Sequence, residues 1–118
     1  MISIAGIDQL DECIINNEDN ILLLYFGAKR CEPCNRLKER LNNESTTLMP
    51  NMLVYYIDID LSDNDEICDI YNIKMLPTQI FVKLKNDKVK IIERIDGYDW
   101  IKLVMSYNKI IPSYNKVK

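Results

Sequence analysis

The stretch of sequence that decides the fold is Cys31-Glu32-Pro33-Cys34, together with the segments on either side of it. The apolar run Ile21-Leu22-Leu23-Leu24-Tyr25-Phe26 precedes it and is typical of a strand buried on both faces. A segment with helical spacing, Asn35-Arg36-Leu37-Lys38-Glu39-Arg40-Leu41, follows it. Two thiols spaced C-x-x-C can close into a disulfide and reopen, and the start of a helix stabilises a thiolate because free backbone N–H groups point there. This placement predicts a redox-active cysteine pair.

Length and composition indicate an ordinary globular domain. A chain of 118 residues is about one domain long and can bury its own core. Its hydrophobic content of 47% and charged content of 28% are those of a typical soluble protein. The net charge of −3 argues against unspecific binding to nucleic acid or to acidic membranes. We therefore expect neither nucleic acid nor a membrane as a partner.

The cysteine pattern and the N-terminal residues predict a reducing compartment. Residues 1–8 show no basic stretch followed by a long apolar region, so we expect no signal peptide. The longest apolar run, residues 21–28, is far shorter than the roughly 18 residues of a membrane span. Four cysteines at uneven spacing do not form the framework of a secreted, disulfide-rich domain. We expect a cytoplasmic protein in which one pair of thiols works catalytically.

The apolar periodicity predicts an alternation of strands and helices. Strands are predicted at residues 2–5, 21–26, 53–59, 80–84 and 89–95, and helices at residues 8–16, from 31 into 42–51, after 62–64, and at 99–109. The order β-α-β-α-β-α-β-β-α requires parallel pairing of the early strands and antiparallel pairing of the late hairpin across residues 85–88. We expect one domain over residues 1–111, with a mixed central sheet and helices on both faces, and a loose C-terminal tail over residues 112–118.

Three motifs in this order resemble those of the thioredoxin family. Residues 26–34 are similar to the family's strand end and its Trp-Cys-Gly-Pro-Cys motif. Leu76-Pro77-Thr78 resembles the segment in which the family carries a cis-proline that faces the two cysteines. Gly97 resembles the family's glycine near the same surface. The resemblance covers nearly the whole chain and implies an α/β protein with a thioredoxin fold.

The resemblance also implies a function and roles for individual residues. Cys31 would attack a target disulfide, and the more buried Cys34 would resolve the mixed disulfide. Pro77 would shape the groove for the target, and the backbone of Leu76 could pair with an extended substrate. The implied substrate-binding residues are Arg30, Glu32, Pro33, Leu76, Pro77 and Gly97. The implied activity is that of a monomeric thiol–disulfide oxidoreductase on protein substrates, without a bound cofactor, supplied with electrons by a separate thiol reductase or by glutathione.

This sequence departs from the family pattern at three positions. Arg30 stands in place of the tryptophan, Glu32 in place of the glycine, and Tyr25 at the strand position where many members carry a buried acid. Lys29 and Arg30 favour a thiolate at Cys31, whereas Glu32 disfavours it. Because exposed charges are screened, we expect a modest net shift towards a more oxidising couple. The chain contains no histidine, so Cys34 would lose its proton to water or to another group, with the Tyr25 hydroxyl as one option.

Three other interpretations of the cysteine pair stay open. The fold could serve a redox-inactive adaptor that only binds a partner protein, an interpretation favoured by the missing tryptophan and acid. A glutaredoxin-like activity with glutathione is a second alternative, although the strand and helix before residue 21 argue against it. A zinc site would need two further ligands, and only Cys13 and Cys68 remain, so we expect no metal. We expect both of these cysteines to be packing residues.

Overall fold

The computed structural model describes residues 1–115 and contains one five-stranded sheet. The strands are β1 (Ile2–Ile4), β2 (Leu22–Gly27), β3 (Leu53–Asp58), β4 (Thr78–Lys85) and β5 (Lys88–Asp96). The helices are α1 (Ile7–Ile15), α2 (Glu32–Leu48), α3 (Asp65–Ile70), which follows a 3₁₀ turn at Ser62–Asn64, and α4 (Trp100–Asn115). No helix of the described residues is long and apolar enough to cross a bilayer.

The sheet order is β1-β3-β2-β4-β5, with β2 in the centre. Strands β1, β3 and β2 run parallel, as the helical crossovers between them require. Strand β4 is antiparallel to β2 and to β5, and the β4–β5 hairpin turns at Asn86 and Asp87, which both have positive φ. The predicted element order and the mixed sheet are confirmed.

Two hydrophobic clusters cover the two faces of the sheet. Along β2, Leu23 and Tyr25 point to the face covered by α2 and α4, whereas Leu22 and Leu24 point to the face covered by α1 and α3. This alternation explains why β2 is apolar without interruption, since both of its faces are buried. The predicted placement of helices on both faces is confirmed.

The structure corrects the prediction at the C-terminus. Helix α4 does not end near residue 109 but continues through Pro112 to Asn115. Pro112 lacks the N–H that would bind the carbonyl four residues earlier, which costs one helical hydrogen bond. Burial of Ile110, packing of Ile111 and a hydrogen bond from Ser113 Oγ to the Lys109 carbonyl (3.3 Å) offset this loss. The predicted boundary at residue 112 therefore falls inside α4. Residues 116–118 of the predicted tail lie outside the described residues. The single domain over residues 1–111 stays a prediction.

Candidate active site

Cys31 lies at the N-cap of α2, directly after the loop that leaves the central strand. Its backbone is extended (φ −94°, ψ 111°), and its sulfur accepts a hydrogen bond from the Cys34 amide at 3.2 Å. Pro33 in the first turn is compatible with the helix because its position needs no intrahelical N–H. The Cys31 sulfur is thus in contact with the free amide end of α2, where a negative charge is stabilised.

The two cysteines of the motif differ in their access to solvent. Cys31 and Cys34 form a disulfide with their Cα atoms 5.2 Å apart, a separation that is ordinary for such a bond. Cys31 is half-buried, whereas Cys34 is fully buried on the inner side of α2. An incoming thiolate or disulfide can therefore reach the sulfur of Cys31 and not that of Cys34.

The loop before β4 lies at the same end of the sheet as Cys31. Strand β4 begins at Thr78, which pairs with Phe26 at the end of β2, so Pro77 is adjacent to the strand end that leads to Cys31. The Leu76–Pro77 peptide bond is cis. The Gly97 amide donates a hydrogen bond to the Pro77 carbonyl at 2.7 Å. The structure therefore brings Pro77, Gly97 and the cysteine loop together at one edge of the molecule.

The charged residues next to Cys31 are engaged in ion pairs. Arg30 contacts the Asp60 carboxylate through two nitrogens, Nε and Nη2, each at 3.2 Å. Glu32 pairs with Arg36 one helical turn later, with Oε1 and Nη2 3.5 Å apart. All four side chains are largely exposed to solvent. The charges of Arg30 and Glu32 are thus partly compensated, which fits a modest influence on the Cys31 sulfur.

Tyr25 occupies the position of the expected buried acid and binds the backbone of the motif. Its hydroxyl donates a hydrogen bond to the Cys34 carbonyl at 2.5 Å, in a buried position. Burial, and to a smaller extent the neighbouring Tyr56, raises the pKa of Tyr25 far above its ordinary value. The hydroxyl stays neutral at physiological pH and is committed to a carbonyl, so Tyr25 holds α2 to the sheet and is not a base for Cys34.

The remaining two cysteines lie elsewhere. Cys13 on α1 and Cys68 on α3 are free thiols that pack against the cluster on the opposite face of the sheet. Burial raises the pKa of Cys68, and the carboxylates of Asp65 and Asp69 raise it further. A thiol with a raised pKa is a poor nucleophile. Within residues 1–115, no group of three or more histidine, cysteine, aspartate or glutamate residues could hold a metal ion.

Two residues near the site were not assigned to it from the sequence. Asp60 binds Arg30, and the parallel pairing of β2 with β3, which aligns Gly27 with Asp58, was the signal that could have indicated it. Gln79 is a fully buried amide that directly precedes the apolar segment Ile80-Phe81-Val82 of β4, and a polar residue in that place was a signal of the same kind. Both residues depend on contacts distant in sequence.

Comparison with known proteins agrees with this geometry. The chain is 27% identical over 96 residues to "Thioredoxin 3" of Plasmodium falciparum (isolate 3D7), an alignment that covers 81% of this chain and 51% of that protein. It is 29% identical over 76 residues to "Thioredoxin-T" of Drosophila melanogaster, covering 64% of this chain and 47% of that protein. The chain therefore spans about half the length of these curated relatives.

Solved structures show the same fold. The Trichomonas vaginalis thioredoxin structure superposes with a TM-score of 0.80 at 23% sequence identity, covering 92% of this chain and 96% of that one. The Fasciola hepatica thioredoxin structure gives a TM-score of 0.80 at 24% identity, covering 92% of this chain and 98% of that one. The family model described as "Thioredoxin" matches residues 7–105, which is most of the sequence. The chain therefore belongs to the thioredoxin family, as its motifs predicted.

Proposed function

We propose that this protein is a thiol–disulfide oxidoreductase that exchanges disulfides with protein substrates through Cys31 and Cys34. The observation that carries the proposal is the asymmetric disulfide at the start of α2. Cys31 is half-buried and its sulfur accepts a hydrogen bond from the Cys34 amide at the start of α2, while the Cys34 side chain is fully buried. This arrangement suits a first thiol that meets the substrate and a second that completes the exchange.

The reaction begins from the reduced dithiol. The Cys31 thiolate attacks one sulfur of a substrate disulfide, a mixed disulfide forms at Cys31, and the other substrate sulfur leaves as a thiolate that takes up a proton. Cys34 then loses its proton and attacks the Cys31 sulfur, which releases the second substrate sulfur as a thiol. The substrate has gained two electrons and two protons, and the protein retains the Cys31–Cys34 disulfide.

The substrate backbone would lie along the edge formed by Leu76, Pro77 and Gly97. Leu76 is partly exposed, and among the described residues its N–H and carbonyl have no hydrogen-bond partner. An extended peptide could therefore pair with this residue as an additional strand does. Arg30, Glu32 and Pro33 would contact the substrate on the other side of Cys31, with charged groups where the family carries a flat apolar surface.

The proposed exchange requires a source of electrons and a reducing environment. The oxidised protein must be reduced again by a dithiol, either a separate thiol reductase or glutathione. We assign the activity to a reducing compartment such as the cytoplasm, because thiol reductases and glutathione there can restore the dithiol. One chain carries both cysteines of the site, so a monomer is sufficient for the proposed exchange.

Reduction of insulin by dithiothreitol, with catalytic amounts of the protein, tests the proposal. We expect catalysis by the unsubstituted chain and its loss in both Cys31→Ser and Cys34→Ser, while Cys68→Ser stays active as the matched control. An unsubstituted chain that leaves the insulin rate unchanged, with Cys31 alkylated like a free thiol, would instead support an adaptor. Activity confined to glutathione mixed disulfides would support the glutaredoxin-like alternative.

A further inference from the structure

The buried amide of Gln79 has an oxygen without a hydrogen-bond partner. Gln79 is 0% exposed, and no described group donates to its Oε1. Its Nε2 donates to the Gly97 carbonyl at 3.0 Å, which fixes the orientation of the amide because a carbonyl can only accept. A buried acceptor left without a donor costs about 1–3 kcal/mol. Native proteins rarely carry such a group without a reason.

The sheet register places Gln79 on the same face of the sheet as Tyr25, the residue that reaches the first turn of α2. Gln79 pairs directly with Tyr25 of β2 and with Ile95 of β5. Directly opposite residues share one face of a sheet, and both Tyr25 and Ile95 belong to the cluster covered by α2 and α4. The Tyr25 hydroxyl reaches the Cys34 carbonyl, so the residue directly opposite Gln79 contacts the turn that carries the buried sulfur.

The hydrogen-bond donors near the Gln79 oxygen depend on the redox state of the cysteine pair. The hydroxyl of Tyr25 is already bound to the Cys34 carbonyl. In the disulfide, the sulfur of Cys34 carries no hydrogen. Reduction by a dithiol breaks the S–S bond and adds two electrons and two protons, of which one makes Cys34 an S–H donor. Cys31 lies at the outer end of the turn, so Cys34 is the cysteine that gains a donor on the buried side.

We propose that Oε1 of Gln79 accepts a hydrogen bond from the Cys34 thiol in the reduced protein and thereby stabilises the reduced form of the site. In the oxidised form the same oxygen is buried without a donor. This difference of one hydrogen bond favours reduction, so Gln79 makes the couple more oxidising than an apolar residue would. This inference rests on the proposed function only for its biological use, because the bond itself requires no substrate.

The test is the equilibrium of Gln79→Met with reduced and oxidised dithiothreitol, measured by alkylation of the free thiols. Loss of one neutral hydrogen bond is expected to lower the equilibrium constant for reduction about fivefold, which is about 20 mV for a two-electron couple. Gln79→Leu provides a second apolar variant. A constant that is unchanged in the folded variants, as it would be if a buried water served Oε1 in both states, overturns the proposal.

A thermodynamic cycle separates this role from plain packing. In Gln79→Met, the free energy of unfolding is expected to rise for the oxidised form relative to the reduced form, so that the ratio of the two unfolding equilibrium constants changes about fivefold. The matched control is Asn64→Leu, which removes a buried amide whose oxygen and nitrogen are both bonded, to Gly6, Ile4 and Asp58. The control should lower both free energies equally. Equal changes in Gln79→Met as well would contradict the proposal.

A measurement on the unsubstituted protein is independent of any folding defect. The Raman S–H stretching band of Cys34, identified by its loss in Cys34→Ser, is expected at a lower frequency than that of an unbonded thiol. A band at the unbonded frequency would overturn the inference. Because neither dithiothreitol nor Raman spectroscopy involves a protein substrate, a failure in the insulin assay and a failure here are separate outcomes.

Discussion

The hydroxyl of Tyr25 donates a hydrogen bond to the carbonyl of Cys34, and this bond joins the central strand to the first turn of the helix that carries both cysteines. The bond is buried and 2.5 Å long. Tyr25 occupies the strand position at which many family members are expected to carry an acid. It does not act as a base, since burial raises the pKa of Tyr25 well above its usual range. Tyr25 therefore supports the geometry of the site and not its proton transfer.

Substitution of Tyr25 by phenylalanine tests this assignment. Tyr25→Phe keeps the ring and removes the donor, so we expect the free energy of unfolding to fall by about 1 kcal/mol. Because the hydroxyl is neutral throughout the physiological range, the pH profile of insulin reduction should keep its shape. Chemical denaturation and rates between pH 6 and 9 provide the two measurements. A new or shifted inflection in the pH profile would show that Tyr25 takes part in proton transfer after all.

The Arg30–Asp60 ion pair predicts a redox effect that depends on salt. Asp60→Asn removes the partner of Arg30 and leaves an uncompensated cation close to Cys31. A cation favours the thiolate, so the couple should become more oxidising, by less than about 30 mV. Since both side chains are exposed, the shift should nearly vanish in 1 M salt. Asp63→Asn is the control for loss of one negative charge, and a shift of the opposite sign in Asp60→Asn would contradict the account.

Arg94 holds the loop that leads to Pro77. Its guanidinium donates to the carbonyls of Tyr71 and Asn72, the latter at 2.9 Å, and its Nε contacts Asp96 Oδ1 at 3.1 Å. Removal of these bonds in Arg94→Met should loosen the edge formed by Leu76, Pro77 and Gly97 and raise the KM for insulin about fivefold. The redox equilibrium with dithiothreitol should stay the same. Lys83→Met, a similar change far from the loop, serves as the control. An unchanged KM would mean that the loop needs no such support.

Glu93 predicts a pH-dependent part of the stability. The hydrogen bond from Ser106 lowers the pKa of Glu93 from its ordinary value, burial opposes this change, and Lys109 at 2.9 Å adds to the lowering. A carboxyl whose pKa is lower in the folded protein stabilises the fold at every pH above its pKa in the unfolded protein. This contribution is lost as the pH falls through its pKa in the folded protein. Glu93→Gln should therefore cost about 1 kcal/mol at pH 7 and nothing at pH 2. An equal loss at both pH values would contradict this assignment.

The fold could be predicted from the sequence because its signals are local. The apolar run at residues 21–26, the helical spacing after Cys31 and the short turn at residues 85–88 each specify one element, and their order fixes the topology. The end of α4 could not be predicted in this way. Pro112 is a local signal to stop, but burial of Ile110 against the sheet is a tertiary effect that outweighs it.

The candidate site was only partly predictable for the same reason. The cysteines and Pro77 lie in recognisable motifs, and the structure places them at one end of the sheet. Asp60, which binds Arg30, and Gln79, the proposed partner of Cys34, are separated from those residues by 30 or more positions in the chain. Their contacts follow from the register of neighbouring strands, which a single sequence does not specify at the level of side chains.

Trapping of the mixed disulfide tests the central claim most directly. Cys34→Ser lacks the thiol that resolves the intermediate, so after incubation with a disulfide-bonded protein its adduct should accumulate, and peptide mass spectrometry should find it at Cys31. Cys31→Ser should form no such adduct. The absence of an adduct in Cys34→Ser, or an adduct at Cys13 or Cys68 instead, would contradict the assignment of Cys31 as the residue that meets the substrate.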